Sequence, residues 1–223
     1  FKNNKTNKIF KNINTKIPIT DLLEKSNYIQ DKKRIFNHEI NIKTTPTDQK
    51  KSGRCWLFAF LNVIRIPMIK KYKLESFEFS QNYLFFYDRL EKANYFLNKI
   101  NNMKKHNIHN VKTYNMEDIK LINFLDNATN DGGHWNDFSN LIEKYGLIPK
   151  TNMDDNFHSK NTKYFNSYLN EFLKKSAKTI LESKESSKTD VLIKDLMYEC
   201  YKILVLHLGE PPSKITWQYY KYG

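Results

Sequence analysis

From Cys55 to Ile66 the run CWLFAFLNVIRI is apolar on nearly every face. This pattern predicts a helix buried in the middle of a domain instead of one lying on its surface. Pro67 lacks a backbone donor and is expected to kink or shorten that helix. The stretch before it, Ile42 to Gly53, holds Pro, Thr, Asp, Ser and Gly with almost nothing apolar after Ile42, and reads as a loop. A second, partly buried helix follows Ser80, its predicted N-cap, with Leu84, Phe85, Leu90, Tyr95, Phe96 and Leu97 at three- and four-residue spacings.

Beyond it, Asn101 to Asn115 reads as a polar connection and Met116 to Asp126 as a short amphipathic helix. Asn130-Asp131-Gly132-Gly133 is a turn by composition, because paired glycines permit positive backbone angles and close approach of another chain. HWNDFSNLIEKY then predicts a helix with Trp135, Phe138, Leu141, Ile142 and Tyr145 on one face, stopped by Gly146. Two long amphipathic helices are predicted over Tyr164 to Leu181 and Asp190 to Leu208, the second ended by Pro211-Pro212. The terminal KITWQYYKYG alternates β-branched and aromatic residues and reads as the start of a strand. Residues 1 to about 30 read as a polar extension or arm, with one short helical candidate from Ile19 to Lys25 opened by Thr20 and Asp21.

Composition narrows the class. A chain of 223 residues with 39% hydrophobic and 14% aromatic residues can bury a core and form one globular domain, or one and a part. No uncharged apolar run reaches the roughly 18 residues that cross a bilayer, and the opening FKNNKTNKIFKNINTK has no apolar signal core. A membrane partner is therefore not expected. Cys55 and Cys200 are too few for a disulfide framework or a tetrahedral zinc site of their own. No cofactor or metal is expected. The net charge of +13 invites nucleic acid, but only four of the 37 basic residues are Arg, against 27 Asn spread along the chain. Arg supplies the bidentate phosphate and guanine contacts, so the charge implies nonspecific binding first.

One position carries candidate chemistry. Cys55 stands at the head of the buried helix, preceded by Ser52-Gly53-Arg54 and, six residues earlier, by Gln49. The partial positive charge of a helix N-terminus favours a thiolate nucleophile. Free amides there, with the Gln49 carboxamide, could hold a developing oxyanion. The bland alternative is that Cys55 is a small buried hydrophobe, and local physics leaves both open.

Read together, QKKSGRCWLFA from Gln49 to Ala59 resembles the nucleophile segment of papain-like cysteine peptidases. SGRCWLFAFLNVIRIPMIKKY, FEFSQNYLFFYDRLEKANYFLN, NDGGHWNDFSNLIEKYGLIPK and LGEPPSKITWQY are similar, in that order, to segments of the bleomycin hydrolase and aminopeptidase C branch. The likeness is strong from about Arg34 to Lys150, returns near Leu206 to Tyr219, and is weak elsewhere. It implies Cys55 as nucleophile, Gln49 as oxyanion-hole donor, and Gly132 and Gly133 as the cleft segment that hydrogen-bonds substrate backbone. Trp56 and Trp135 would be structural or cleft-lining. Two departures stand out: the residue before the glutamine, usually Asn, is Asp48, and the residue after the glycine pair, commonly Gln, is His134. Asp48 would place a negative charge near the sulfur, with an effect set by where it points.

A cysteine peptidase also needs a base and a group that orients it. Of His38, His106, His109, His134, His158 and His207, none precedes the Asn-Ser-Trp that the family's base and orienter imply, and the last Asn in the chain is Asn170. His207 has a suitable separation from Cys55 but falls in a segment that resembles a non-catalytic part of the family. His106 and His109 could share a helical face for a metal, but their Asn/Lys-rich setting points to solvated loop residues. The expected fold is thus mainly α: the helical, Cys-bearing half of a papain-like α+β fold plus the start of a helical insertion, without the β-barrel half. The expected parts are a polar arm over 1–33, the helical half over 34–150, and an insertion over 151–223 ending at a strand start.

The resemblance implies a cytoplasmic thiol aminopeptidase acting on peptide substrates, hexameric when intact, with bleomycin and homocysteine thiolactone as further substrates. The missing C-terminal half of the fold would be its partner, docked on apolar surface exposed here, and the chain by itself would not turn over. The alternative is a catalytically silent basic module that binds nucleic acid or a partner subunit.

Overall fold

The computed structural model describes residues 4–18, 21, 37–38, 44–105, 123–126, 128–183 and 189–220. Contacts divide the chain into a unit from Phe1 to Lys43 and one from Thr44 to Gly223. In the first unit, helix α1 (Lys5–Asn14) stands where the sequence read as an arm. The Asn4 side chain accepts hydrogen bonds from the amides of Thr6 (2.9 Å) and Asn7 (3.4 Å), and that cap starts the helix. The helix candidate at Ile19 to Lys25 falls outside the described residues apart from Asp21.

The second unit holds α2 (Cys55–Tyr72), α3 (Gln81–Lys105), α4 (Trp135–Tyr145), α5 (Phe157–Lys160), α6 (Thr162–Glu182) and α7 (Thr189–Leu208), with a 3-10 turn at Lys150–Asn152. Among the described residues there is no strand, only single bridges pairing Lys51 with Asn161 and Phe79 with Pro149. Helix α3 is the hub and packs against α2, α4, α6 and α7. Its residues from Gln81 to Phe86 are buried without a break, because neighbours cover it on every side. Ser80 caps it as expected: its Oγ accepts from the Tyr83 amide (3.0 Å) and donates to the Met153 carbonyl (2.5 Å). The helix runs on to Lys105 through the first part of the expected polar connection, because Ile100 and Asn101 are buried and Lys104 Nζ donates to the Ser183 carbonyl (2.6 Å). The rest of that connection, with His106 and His109, lies outside the described residues. Of the helix expected over Met116 to Asp126, residues 123–126 are described and helical.

Pro67 does not shorten helix α2, and the helix departs from expectation in its burial. It continues through Pro67 to Tyr72 and ends at Lys73, which adopts a left-handed conformation (φ 52°). Pro67 lies on the exposed side, where water can satisfy the carbonyl that loses its donor. The helix is also not buried all round: Trp56, Leu57, Phe58, Leu61 and Arg65 face the core, whereas Val63 is 66% exposed. Helix α7 ends at Gly209, whose positive φ of 88° lets its amide reach the Val205 carbonyl (2.9 Å), before the proline pair. Residues 214–220 form no strand. A strand needs a ladder partner, and here the Trp217 ring packs instead against Tyr72 (5.5 Å) and Phe77 (5.4 Å).

Candidate active site

Cys55 is the first residue of α2 and is exposed, while the residues on either side of it are held firmly. Arg54 is fully buried: its Nη1 pairs with Asp155 (2.5 Å), its Nε donates to Ser52 Oγ (3.0 Å), and its guanidinium lies 5.1 Å from the Phe58 ring. Trp56, also buried, donates from Nε1 to the Asp131 carbonyl (2.8 Å). The thiol therefore projects from a fixed turn. This excludes the reading of Cys55 as a buried hydrophobe, which the other cysteine, Cys200, fits: burial pushes its thiol up to about 12.

Gln49 is partly buried in a segment laid along α2. Arg65 Nη2 donates to the Thr45 carbonyl (3.0 Å), Asn62 Nδ2 to Thr47 Oγ1 (2.6 Å), and Ser52 Oγ to the Gln49 carbonyl (2.6 Å). Ser52 thus links Gln49 to the Arg54 anchor, and brings both predicted catalytic residues onto one braced turn. Asp48 points to solvent and pairs with Lys50 (2.7 Å); the hydrogen bonds from Lys50 hold its carboxyl below the usual range. Its charge is paired with a neighbouring cation.

The glycine pair adjoins the same turn. The Asp131 carboxylate accepts from the Gly53 amide (3.2 Å), Thr162 Oγ1 (3.0 Å) and Asn166 Nδ2 (2.6 Å), and lies 3.4 Å from Arg89 Nη1. Neither glycine of the pair uses the positive φ that glycine permits. Their need differs: a Cβ on Gly133 would fall 2.6 Å from the Trp56 ring, whereas a Cβ on Gly132 would meet nothing within 4 Å. Gly133→Ala is therefore expected to destabilise the protein by about 1–3 kcal/mol through overpacking. Gly132→Ala should stay within about 0.5 kcal/mol of wild type. Urea unfolding midpoints of the two variants check the contrast.

Sequence reasoning missed Asp131, Asp155 and Lys92 as braces of this site; the one local signal was charge, Asp88-Arg89, placed inside an apolar helix. His134 is exposed at the head of α4, its amide donating to Asp137 Oδ2 (2.7 Å). His158 and His207 pack on each other (4.8 Å between rings) beside Phe165 and Tyr168, and burial, then His207, lowers the His158 pKa. No hydrogen bond joins a described histidine to Cys55. Among the described residues no cluster of three or more His, Cys, Asp or Glu could hold a metal, and no helix is long and apolar enough to cross a membrane.

The model of the Peptidase C1-like family matches residues 1–222. The chain belongs to that family. Among its relatives, the bleomycin hydrolase of Rattus norvegicus is 34% identical over 213 residues, covering 93% of this chain and 46% of that protein. The aminopeptidase C of Listeria innocua is 38% identical over 186 residues, covering 83% of this chain and 40% of that protein. The crystal structure of PepW from Lactobacillus rhamnosis HN001 superposes with a TM-score of 0.79 at 29% identity, over 96% of this chain and 50% of that one. This Peptidase C1-like chain thus spans about half the length of what it matches. Its mainly helical fold agrees with that neighbour.

Proposed function

We propose that this chain supplies the nucleophile-bearing part of a thiol aminopeptidase that cleaves peptides through an acyl-enzyme on Cys55. The observation that carries the reading is an exposed cysteine at a helix N-terminus whose two neighbours, Arg54 and Trp56, are locked by side-chain contacts. Attack by the Cys55 sulfur on the substrate carbonyl would develop an oxyanion beside the free amides of the α2 N-terminus and the Gln49 carboxamide. The base and its orienting group would come from sequence outside this chain, which spans less than half the length of the two relatives. Exposed Val63 on α2 and Trp135 at the head of α4 suit a surface that such a second half covers. Hydrolysis of bleomycin, named in the relatives, of homocysteine thiolactone, and assembly as a hexamer in the cytoplasm belong to the same proposal.

Thiol reactivity tests it. Iodoacetamide applied to the folded protein is expected to label Cys55 and spare Cys200, whose burial keeps it protonated well above neutral pH. Both should react after unfolding. Peptide mapping that finds Cys55 unlabelled in the folded protein would sink the proposal and favour a silent basic module, whose nucleic-acid affinity would fall steeply with salt.

A further inference from the structure

Three consecutive carbonyls leading into the glycine pair are held by side chains. The Lys92 ammonium on α3 donates to the carbonyls of Asn130 (3.0 Å) and Gly132 (2.7 Å), and the Trp56 indole holds the Asp131 carbonyl between them. Lys92 is itself anchored: Asp88 lies 3.0 Å away, and the Trp56 ring is 5.6 Å from Nζ. Asp88 is buried and fixed by Arg89 (2.8 Å). An ammonium has three donors, and one carboxylate and two carbonyls use all of them. On the other side of the same segment, the Gly132 amide and both backbone groups of Gly133 make no hydrogen bond among the described residues. A segment whose carbonyls are engaged by side chains while neighbouring backbone groups stay unpaired is suited to hydrogen-bonding a peptide backbone.

We propose that Lys92 is a positioning residue for peptide binding: its ammonium fixes the Asn130–Gly132 backbone so that Gly133 offers its unpaired amide and carbonyl to the substrate. The proposal rests on the peptidase reading above. Burial, and then the charge of Arg89, lower the Lys92 pKa, and Asp88 on its own helix and Asp137 on α4 only partly restore it. Loss of its proton leaves two donors for three acceptors. Peptide affinity in the wild type should therefore weaken at alkaline pH, at a lower pH than an exposed lysine would give.

The test uses the whole enzyme that contains this chain, with a tripeptide amide as substrate. Lys92→Met keeps the aliphatic stem against Trp56 and removes the ammonium. It is expected to raise KM about tenfold, with kcat changed less than about threefold and the iodoacetamide rate at Cys55 unchanged. Lys92→Arg keeps a cation that does not titrate in this range, and should recover part of the affinity while abolishing the alkaline rise in KM. An unchanged KM in Lys92→Met overturns the proposal. So does a shift of KM, iodoacetamide rate and melting temperature together, which would mark a merely structural lysine. If Lys92→Met does not fold, the pH profiles of wild type and Lys92→Arg decide, and identical alkaline limbs overturn it. A wild type that neither cleaves peptide nor reacts at Cys55 overturns the peptidase reading itself, and this proposal with it.

Discussion

Cys55→Ala is expected to lower kcat of the whole enzyme by at least about 10⁴-fold, because the acyl-enzyme route disappears with its nucleophile. The fold should be indifferent to the change. Cys55 is exposed and its sulfur forms no core contact, so the unfolding free energy should move by less than about 0.5 kcal/mol. Gln49→Ala is expected to be milder, about 10²- to 10³-fold in kcat, as for the loss of one donor to a developing oxyanion. The ordering separates roles: a nucleophile is indispensable, whereas an oxyanion donor shares its task with the helix amides. Steady-state kinetics on purified variants, with melting curves to confirm folding, would check it. Turnover within tenfold of wild type in Cys55→Ala would remove the nucleophile assignment.

Helices α2, α3, α4, α6 and α7 were legible because their signals are local: apolar spacing, the Ser80 cap, and the glycine stop at Gly146; the four-residue α5, with its Asn156 cap, was not. Cys55 was legible for the same reason, as a lone thiol at the head of an apolar run. The braces of the site were not. Asp131 reaches Gly53, Thr162 and Asn166, which lie 78, 31 and 35 residues away along the chain, and no periodicity links such positions. The glycine pair was read as permitting positive backbone angles and close approach of another chain; what approaches Gly133 is the Trp56 ring, a contact visible only in three dimensions. Pro67 left the end of α2 open for a related reason. Its cost depends on whether water reaches the deprived carbonyl, and that is a property of the packed helix rather than of the residue.

Arg54→Ala is expected to destabilise the protein by about 3–5 kcal/mol, because it strands a buried carboxylate. Arg54 is fully buried, and Asp155, its partner at 2.5 Å, has a side chain only 6% accessible. With the guanidinium gone, Asp155 keeps, among the described residues, one side-chain donor, Ser159 Oγ at 3.2 Å, too little to offset desolvation of the charge. The rings of Phe58 and Phe85, 5.1 and 5.7 Å from the guanidinium, would border the void. Since whole domains have only about 5–15 kcal/mol of stability, this one change should remove a large fraction of it. The double variant Arg54→Met with Asp155→Leu is expected to recover most of the loss, because an apolar pair of similar volume removes both charges together. Urea unfolding across the four members of that cycle measures the coupling. A loss below about 1 kcal/mol in Arg54→Ala would mean that water reaches Asp155, and that the turn bearing Cys55 is braced by Trp56 and Asp131 instead.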